Sequence, residues 1–205
     1  MDDVYQILRS RILKEVLYPG QKISEISLAE EFNCSRTPIR DVLKRLELDG
    51  LITIKPKSGT YVKAETPKDM VETMQIRASL ERLAFTLACT NASARDIARL
   101  KKLKKDMDRL TNQDPIDMMK FAQLHYDFHY QIIACSGNDL LPLFFERLNL
   151  RSSHMFYQMM DSKLAGETQD EHRMIVEYLE KRSPEGGDFI EDHLKRKIDR
   201  VLSNI

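Results

Sequence analysis

Between Val4 and Leu17, the apolar positions Ile7, Leu8, Ile12, Leu13 and Val16 recur at helical spacing, and Tyr18-Pro19-Gly20 ends the run. Ser27-Leu28-Ala29-Glu30 has the form of a capping box and predicts the start of a second, short helix. Asn33 tolerates positive φ and suits the turn after it. Ser35 is placed to cap a third helix, with Arg36, Thr37 and Pro38 in its first turn. Proline is tolerated there because first-turn N–H groups have no partner within the helix. Ile39, Val42, Leu43, Leu46 and Leu48 give this helix an apolar side, expected to pack on Leu28, Ala29 and Phe32. Arg36, Arg40, Lys44 and Arg45 give it a basic one, and Gly50 is placed to end it.

Past Gly50 the period changes to two. Leu51–Ile54 and Thr60–Lys63 read as strands joined by a turn at Pro56-Lys57-Ser58-Gly59. The polar, proline-containing stretch Glu65-Thr66-Pro67-Lys68 predicts a domain boundary, giving a winged helix-turn-helix over 1–66 and a second domain over 67–205. The second domain shows no strand-like alternation. Six helical blocks are predicted instead: Met70–Cys89, Ser93–Leu110, Pro115–Cys135, Leu141–Met160, Gln169–Lys181 and Gly187–Leu202. Met74, Ile76, Leu80, Leu83, Ala84 and Leu87 are the apolar positions of the first block. The fold class is therefore mainly α: a winged helix-turn-helix followed by an all-α antiparallel bundle.

The 205 residues are 42% hydrophobic, enough for packed cores. Net charge is zero, which argues against a protein that coats nucleic acid non-specifically. The charge is unevenly spread, however: Cys34 to Lys63 holds seven Lys or Arg against three Asp or Glu. Cys34, Cys89 and Cys135 are scattered, without a CxxC pair, as expected of buried free thiols in a reducing cytoplasm. No signal peptide or membrane-length apolar run is visible, so a cytoplasmic protein without a membrane partner is expected.

A basic helix followed by a hairpin bearing Lys55, Lys57 and Lys63 suits DNA: the helix fits the major groove and the hairpin tip reaches phosphates or the minor groove. The alternative is an amphipathic helix with a solvated basic face. The stretch SRTPIRDVLKRLELDGLI, preceded by PGQKISEISLAEEF and followed by KSGTYV, closely resembles the GntR family of bacterial transcription regulators over roughly residues 4–64. The resemblance implies that Ser35, Arg36, Thr37 and Arg40 contact operator DNA and that the wing-tip Gly59 approaches it closely. Lys44, Arg45, Lys57 and Ser58 complete the expected DNA-binding set.

The five histidines, His125, His129, His154, His172 and His193, all fall in the helical half. His125 and His129 are four residues apart, so both leave one helix face, a spacing that lets two imidazoles share a metal. Any single histidine is more simply a surface or core residue. The combination of Arg77 and Glu81, HYDFHYQIIACSGN, Glu171-His172 and Asp192-His193-Leu194 resembles the FCD ligand-binding domain of FadR-type GntR regulators, with six helices as in the VanR branch. That domain holds a divalent metal on an Asp or Asn and three histidines. The resemblance places its histidines at His129, His172 and His193, and its acidic position at His125. Four imidazoles favour zinc or nickel over manganese, and His125 outside the set would leave a three-histidine site. Asp127 is expected to point elsewhere, and His154 to be structural or pocket-lining. Met118, Met119 and the Met155/Met159/Met160 group read as core filler more than as a ligand pocket.

The resemblance further implies that the metal anchors the carboxylate of a small organic acid. Arg77 is a candidate second contact to the acid, equally readable as an ion-pair partner of Glu81. The resulting expectation is a homodimeric regulator, a repressor, reading a near-palindromic operator through 1–66. Residues 67–205 then form the FCD-like domain for effector binding and dimerisation. Three rivals use the same histidines: a metal-dependent hydrolase with Glu171 as base, a sensor for which the metal itself is the effector, and a regulator in which the metal only holds the bundle together. Not being an enzyme is the expectation kept.

Overall fold

In the computed structural model, which describes residues 1–13, 16–148 and 162–203, the chain divides between Thr66 and Pro67 into two units. The first holds α1 (Asp2–Leu13), β1 (Lys22–Ile23), α2 (Glu25–Glu31), α3 (Arg36–Leu48), β2 (Ile52–Lys55) and β3 (Gly59–Val62). The strands form an antiparallel sheet in the order β1-β3-β2, with Lys22 opposite Tyr61, Ile52 opposite Val62 and Lys55 opposite Gly59. Leu8 and Ile12 of α1, Leu28 and Ala29 of α2, and Ile39, Val42, Leu43 and Leu46 of α3 are buried. Asn33 takes the left-handed backbone (φ 48°) that the turn between α2 and α3 requires.

Three local expectations are corrected here. The cap of α2 is Ser24, not Ser27: Ser24 is extended, and its hydroxyl accepts the Ser27 N–H at 3.2 Å. Ser35 has the extended geometry of a cap, but its hydroxyl makes no capping bond. Leu48 is 86% exposed. It lies nine residues after Ile39, and at about 100° per residue it faces the opposite side of α3. The short β1 lacks a run long enough to show alternation and was not expected.

The second unit contains α4 (Pro67–Asn91), α5 (Ala94–Thr111), α6 (Met118–Ala134), α7 (140–148), α8 (Ser162–Glu180) and α9 (Glu185–Ser203). These are six helices among the described residues. The fourth expected block, Leu141–Met160, extends beyond α7 into residues outside those described. Ser93 and Asp96 form a full capping box at α5, and Asp117 caps α6 by accepting the Lys120 N–H. α4 packs along α9 and α6, while α5 packs on α6 and α8. The core between them contains Met74, Phe85, Phe121, Phe128, Ile132, Ile175, Leu179, Ile190 and Leu194. Ile76 and Leu83 are exposed, so the buried stripe of α4 runs instead through Met70, Met74, Ala78, Glu81, Phe85 and Ala88.

The first turn of α9 meets α4 closely. A Cβ on Gly186 would lie 2.4 Å from a Phe85 ring atom and 2.6 Å from Tyr178 Cβ. Gly186→Ala is therefore expected to destabilise the second unit by about 1–3 kcal/mol, the usual cost of overpacking. Thermal unfolding of the variant against the parent checks this, and an unchanged midpoint would contradict the tight approach.

Candidate metal centre and nucleic-acid interface

The first turn of α3 lies open to solvent, with Ser35, Arg36, Thr37, Arg40 and Lys44 all exposed. Arg36, Arg40 and Lys44 follow one another at intervals of four, which keeps them on one side of the helix. Glu25 of α2 faces them: its Oε2 accepts from Arg40 Nε at 2.8 Å and lies 3.6 Å from Arg36. Such exposed pairs contribute about 0–1 kcal/mol, so they orient the guanidinium groups without withholding them from a stronger anion. Arg45 is not brought to this surface. Nine residues beyond Arg36 it faces α1, bonded to Asp2 at 2.6 Å with its guanidinium 4.0 Å from the Tyr5 ring centre.

Lys57 and Ser58 are exposed at the hairpin tip, and Lys57 has positive φ (61°). Gly59 has φ 135°, and a Cβ there would meet Lys22 Cε at 2.7 Å, so glycine is required. Nζ of Lys22 and of Lys55 lies 5.8 and 5.3 Å from the Tyr61 ring centre. Sequence reasoning missed Lys22, which adds to the basic character of the wing, and Tyr61, whose ring both lysines approach.

In the second unit, α6, α8 and α9 bring His125, His129, His172 and His193 together. All four are buried, and each offers a ligand nitrogen within 4.8 Å of the others. His125 and His129 project from α6 with ring centres 4.6 Å apart, and His172 and His193 stand 5.0 Å apart. The buried Phe128 ring packs 4.8 Å from the His172 ring centre.

The outer nitrogens are held by neighbouring side chains. His129 Nδ1 contacts Glu81 Oε2 at 2.5 Å, and Glu81 Oε1 accepts from Arg77 Nε and Nη2 at 3.1 and 2.8 Å. Arg77 also lies 4.9 Å above the Phe145 ring centre, and both it and Glu81 are buried. Its position is that of an ion-pair partner of Glu81. His193 Nδ1 contacts Glu171 Oε2, whose second oxygen takes Arg196 Nε at 2.7 Å. Glu171 is thereby occupied outside the cluster and is not placed as a base. Gln169 Nε2 lies 3.4 Å from His172 Nδ1. The inner Nε2 atoms of His129, His172 and His193 are buried and have no hydrogen-bond partner among the described residues.

His125 differs. Its Nε2 lies 2.9 Å from Nζ of Lys197, a buried residue that sequence reasoning missed. The available signal was spacing, since Lys197 follows His193 by one helical turn. Asp127 is engaged elsewhere, accepting from Gln123 at 2.9 Å. His154, Met155, Met159 and Met160 lie outside the described residues; Met118 packs against the core and Met119 is exposed.

Burial holds the pKa values of His125, His172 and His193 well below the usual imidazole range, and nearby cations act in the same direction. His129 is also lowered by burial, against the opposing pull of Glu81. Burial alone would raise Glu81, but His129 and Arg77 outweigh it and bring its pKa to about 2. The rings are thus neutral and able to donate lone pairs.

The chain matches the FCD domain over residues 72–196 and the family of bacterial regulatory proteins called gntR over residues 1–62. It is 27% identical over 188 residues to the Nta operon transcriptional regulator of Aminobacter aminovorans, covering 91% of this chain and 87% of that one. It is 25% identical over 182 residues to McbR of Escherichia coli, covering 87% and 81%. Among solved structures, E. coli McbR/YncC shares the fold with a TM-score of 0.79 at 22% identity, covering 98% and 96%. A GntR-type structure from Rhodococcus sp. RHA1 has a TM-score of 0.79 at 18% identity, covering 100% and 98%. These relatives are transcriptional regulators, not enzymes. The chain belongs to the gntR family of bacterial regulatory proteins, as a DNA-binding transcriptional regulator with a C-terminal FCD domain.

Proposed function

We propose that this regulator responds to a small organic acid through a divalent transition metal held on Nε2 of His129, His172 and His193. The observation that carries the reading is the convergence of three buried, neutral ring nitrogens without hydrogen-bond partners among the described residues. Each such atom costs about 1–3 kcal/mol if left unsatisfied, and one cation would satisfy all three. Glu81 and Glu171 grip two of these rings from outside, the arrangement that orients metal-ligating imidazoles. A nitrogen-only donor set favours zinc or nickel over manganese. When bound, the ion would supply a Lewis-acidic position for the acid's carboxylate. Arg77 serves by fixing Glu81, and not as the acid's second contact.

In the first unit, Arg36, Thr37, Arg40 and Lys44 of α3 are the residues proposed to enter the major groove, with Lys57, Ser58 and Gly59 of the wing on the adjacent backbone. The regulator acts as a cytoplasmic homodimeric repressor on a two-fold operator. Exposed Ile76 and Leu83 on α4, and Leu140, Leu143 and Phe144 on α7, support a second copy as the cover for these apolar side chains. The acid changes operator affinity only by the difference in its own affinity for the two conformations.

Elemental analysis tests the metal site. About one zinc or nickel per chain is expected, with His172→Ala reducing it to near zero and a chelator lowering the melting temperature of the parent. Full metal retention in a His129/His172/His193 triple alanine variant would refute the assignment. A change in operator affinity on adding metal alone, with no acid, would make the ion the effector.

Arg40→Ala is expected to weaken binding to the chain's own upstream promoter DNA by about ten- to a hundredfold, the worth of one base-edge contact. Arg45→Ala should change it far less. A gel-shift titration of both variants decides this, since equal losses would contradict the division of α3 into two faces.

A further inference from the structure

We infer that β1 belongs to the DNA-contacting surface: Lys22 and Lys55, gathered on the Tyr61 ring, bind backbone phosphates beside the wing tip. Lys22 stands opposite Tyr61 in the β1–β3 pair, and Thr53 stands opposite Tyr61 in the β2–β3 pair. Directly opposed side chains share a face of the sheet, and each strand changes face at every residue. Lys22, Tyr61 and Lys55 therefore share the outer face, while Ile23, Ile52, Thr60 and Val62 are buried on the inner one. Lys22 and Lys55 are both exposed.

Gly59 makes room for this arrangement. A Cβ there would lie 2.7 Å from Lys22 Cε and 3.3 Å from its Nζ, so the ammonium occupies space that a side chain at position 59 would fill. Tyr61 is fixed to the tip, its hydroxyl donating to Ser58 O at 3.2 Å and lying 2.9 Å from Ser58 Oγ. Among the described residues neither Lys22 nor Lys55 pairs with a carboxylate, whereas Arg36 and Arg40 share Glu25. An exposed ring holds an ammonium weakly and leaves its hydrogens available to an acceptor. Two ammoniums on one ring, without an anion between them, create a local positive potential that a phosphodiester offsets. The inference deepens the wing placement proposed above, which used Lys57, Ser58 and Gly59, and adds a strand that precedes α2.

The test is fluorescence-anisotropy titration of the full chain on two labelled duplexes, the upstream promoter fragment and a scrambled duplex of equal length, from about 50 to 200 mM salt. The scrambled duplex reports phosphate contacts even where the promoter fragment carries no operator. Each neutralised phosphate contributes about 0.9 to the slope of log affinity against log salt. Lys22→Met and Lys55→Met are each expected to reduce the slope by about that amount on both duplexes. Lys102→Met, which removes the same charge from α5, should leave the slope as it is. Tyr61→Leu should reduce it and Tyr61→Phe should keep most of it, because the ring holds the ammoniums. An unchanged slope in Lys22→Met overturns the proposal, as does an equal loss in Lys102→Met, which would make the effect one of net charge. Lys57→Met separates this result from the wing reading. A reduced slope there, with Lys22→Met unchanged, keeps the wing on DNA and removes β1; no change in either removes both. Circular dichroism establishes that each variant is folded.

Discussion

Glu81 sits on α4 with no solvent exposure, and an ionised carboxylate in that position is tolerable only with partners on both oxygens. Arg77 supplies one set of bonds from the preceding turn and His129 supplies the other from α6. This chain ties two helices at a fixed register and aims the His129 ring so that its Nε2 faces inward. Removing one member of such a buried set typically costs about 3–5 kcal/mol, because the remaining charge is stranded. The interaction thus specifies helix placement and site geometry together. The other rings inherit their orientation from similar contacts: Glu171 on His193, and Lys197 on His125.

The two units use charge in opposite regimes. Glu25 touches Arg36 and Arg40 at the surface, where water and salt leave little net energy in the pair. A weak, reversible contact suits the proposed role of these side chains, which would exchange it for phosphate or a base edge. The charges around the histidine cluster are desolvated, so each contact is strong and each mismatch is expensive.

Much of the architecture was legible in the residues. The Ser35-to-Gly59 stretch carries cap, basic face, glycine stop and wing in order, and local periodicity sufficed to find α3, β2 and β3. The His125/His129 spacing, with the family likeness at His172 and His193, named the four rings that the bundle collects. Errors arose where one residue type serves two settings. Ser24 and Ser27 are equally good caps on paper; the strand at Lys22–Ile23 decides between them by holding Ser24 extended. Arg45 and Leu48 belong to runs of basic and apolar residues, yet each falls half a turn from the face assigned to it.

By itself, the sequence determined the class of the protein, its division near Thr66, and which imidazoles are available, because these depend on short-range pattern and residue identity. Only the tertiary structure decided which nitrogen of each ring faces inward and that Arg77 is committed to Glu81. It also placed Lys197 against His125 across 72 residues of sequence. The physical reason is that buried charge is satisfied by whatever side chain the packing of distant helices delivers. No local periodicity records that choice.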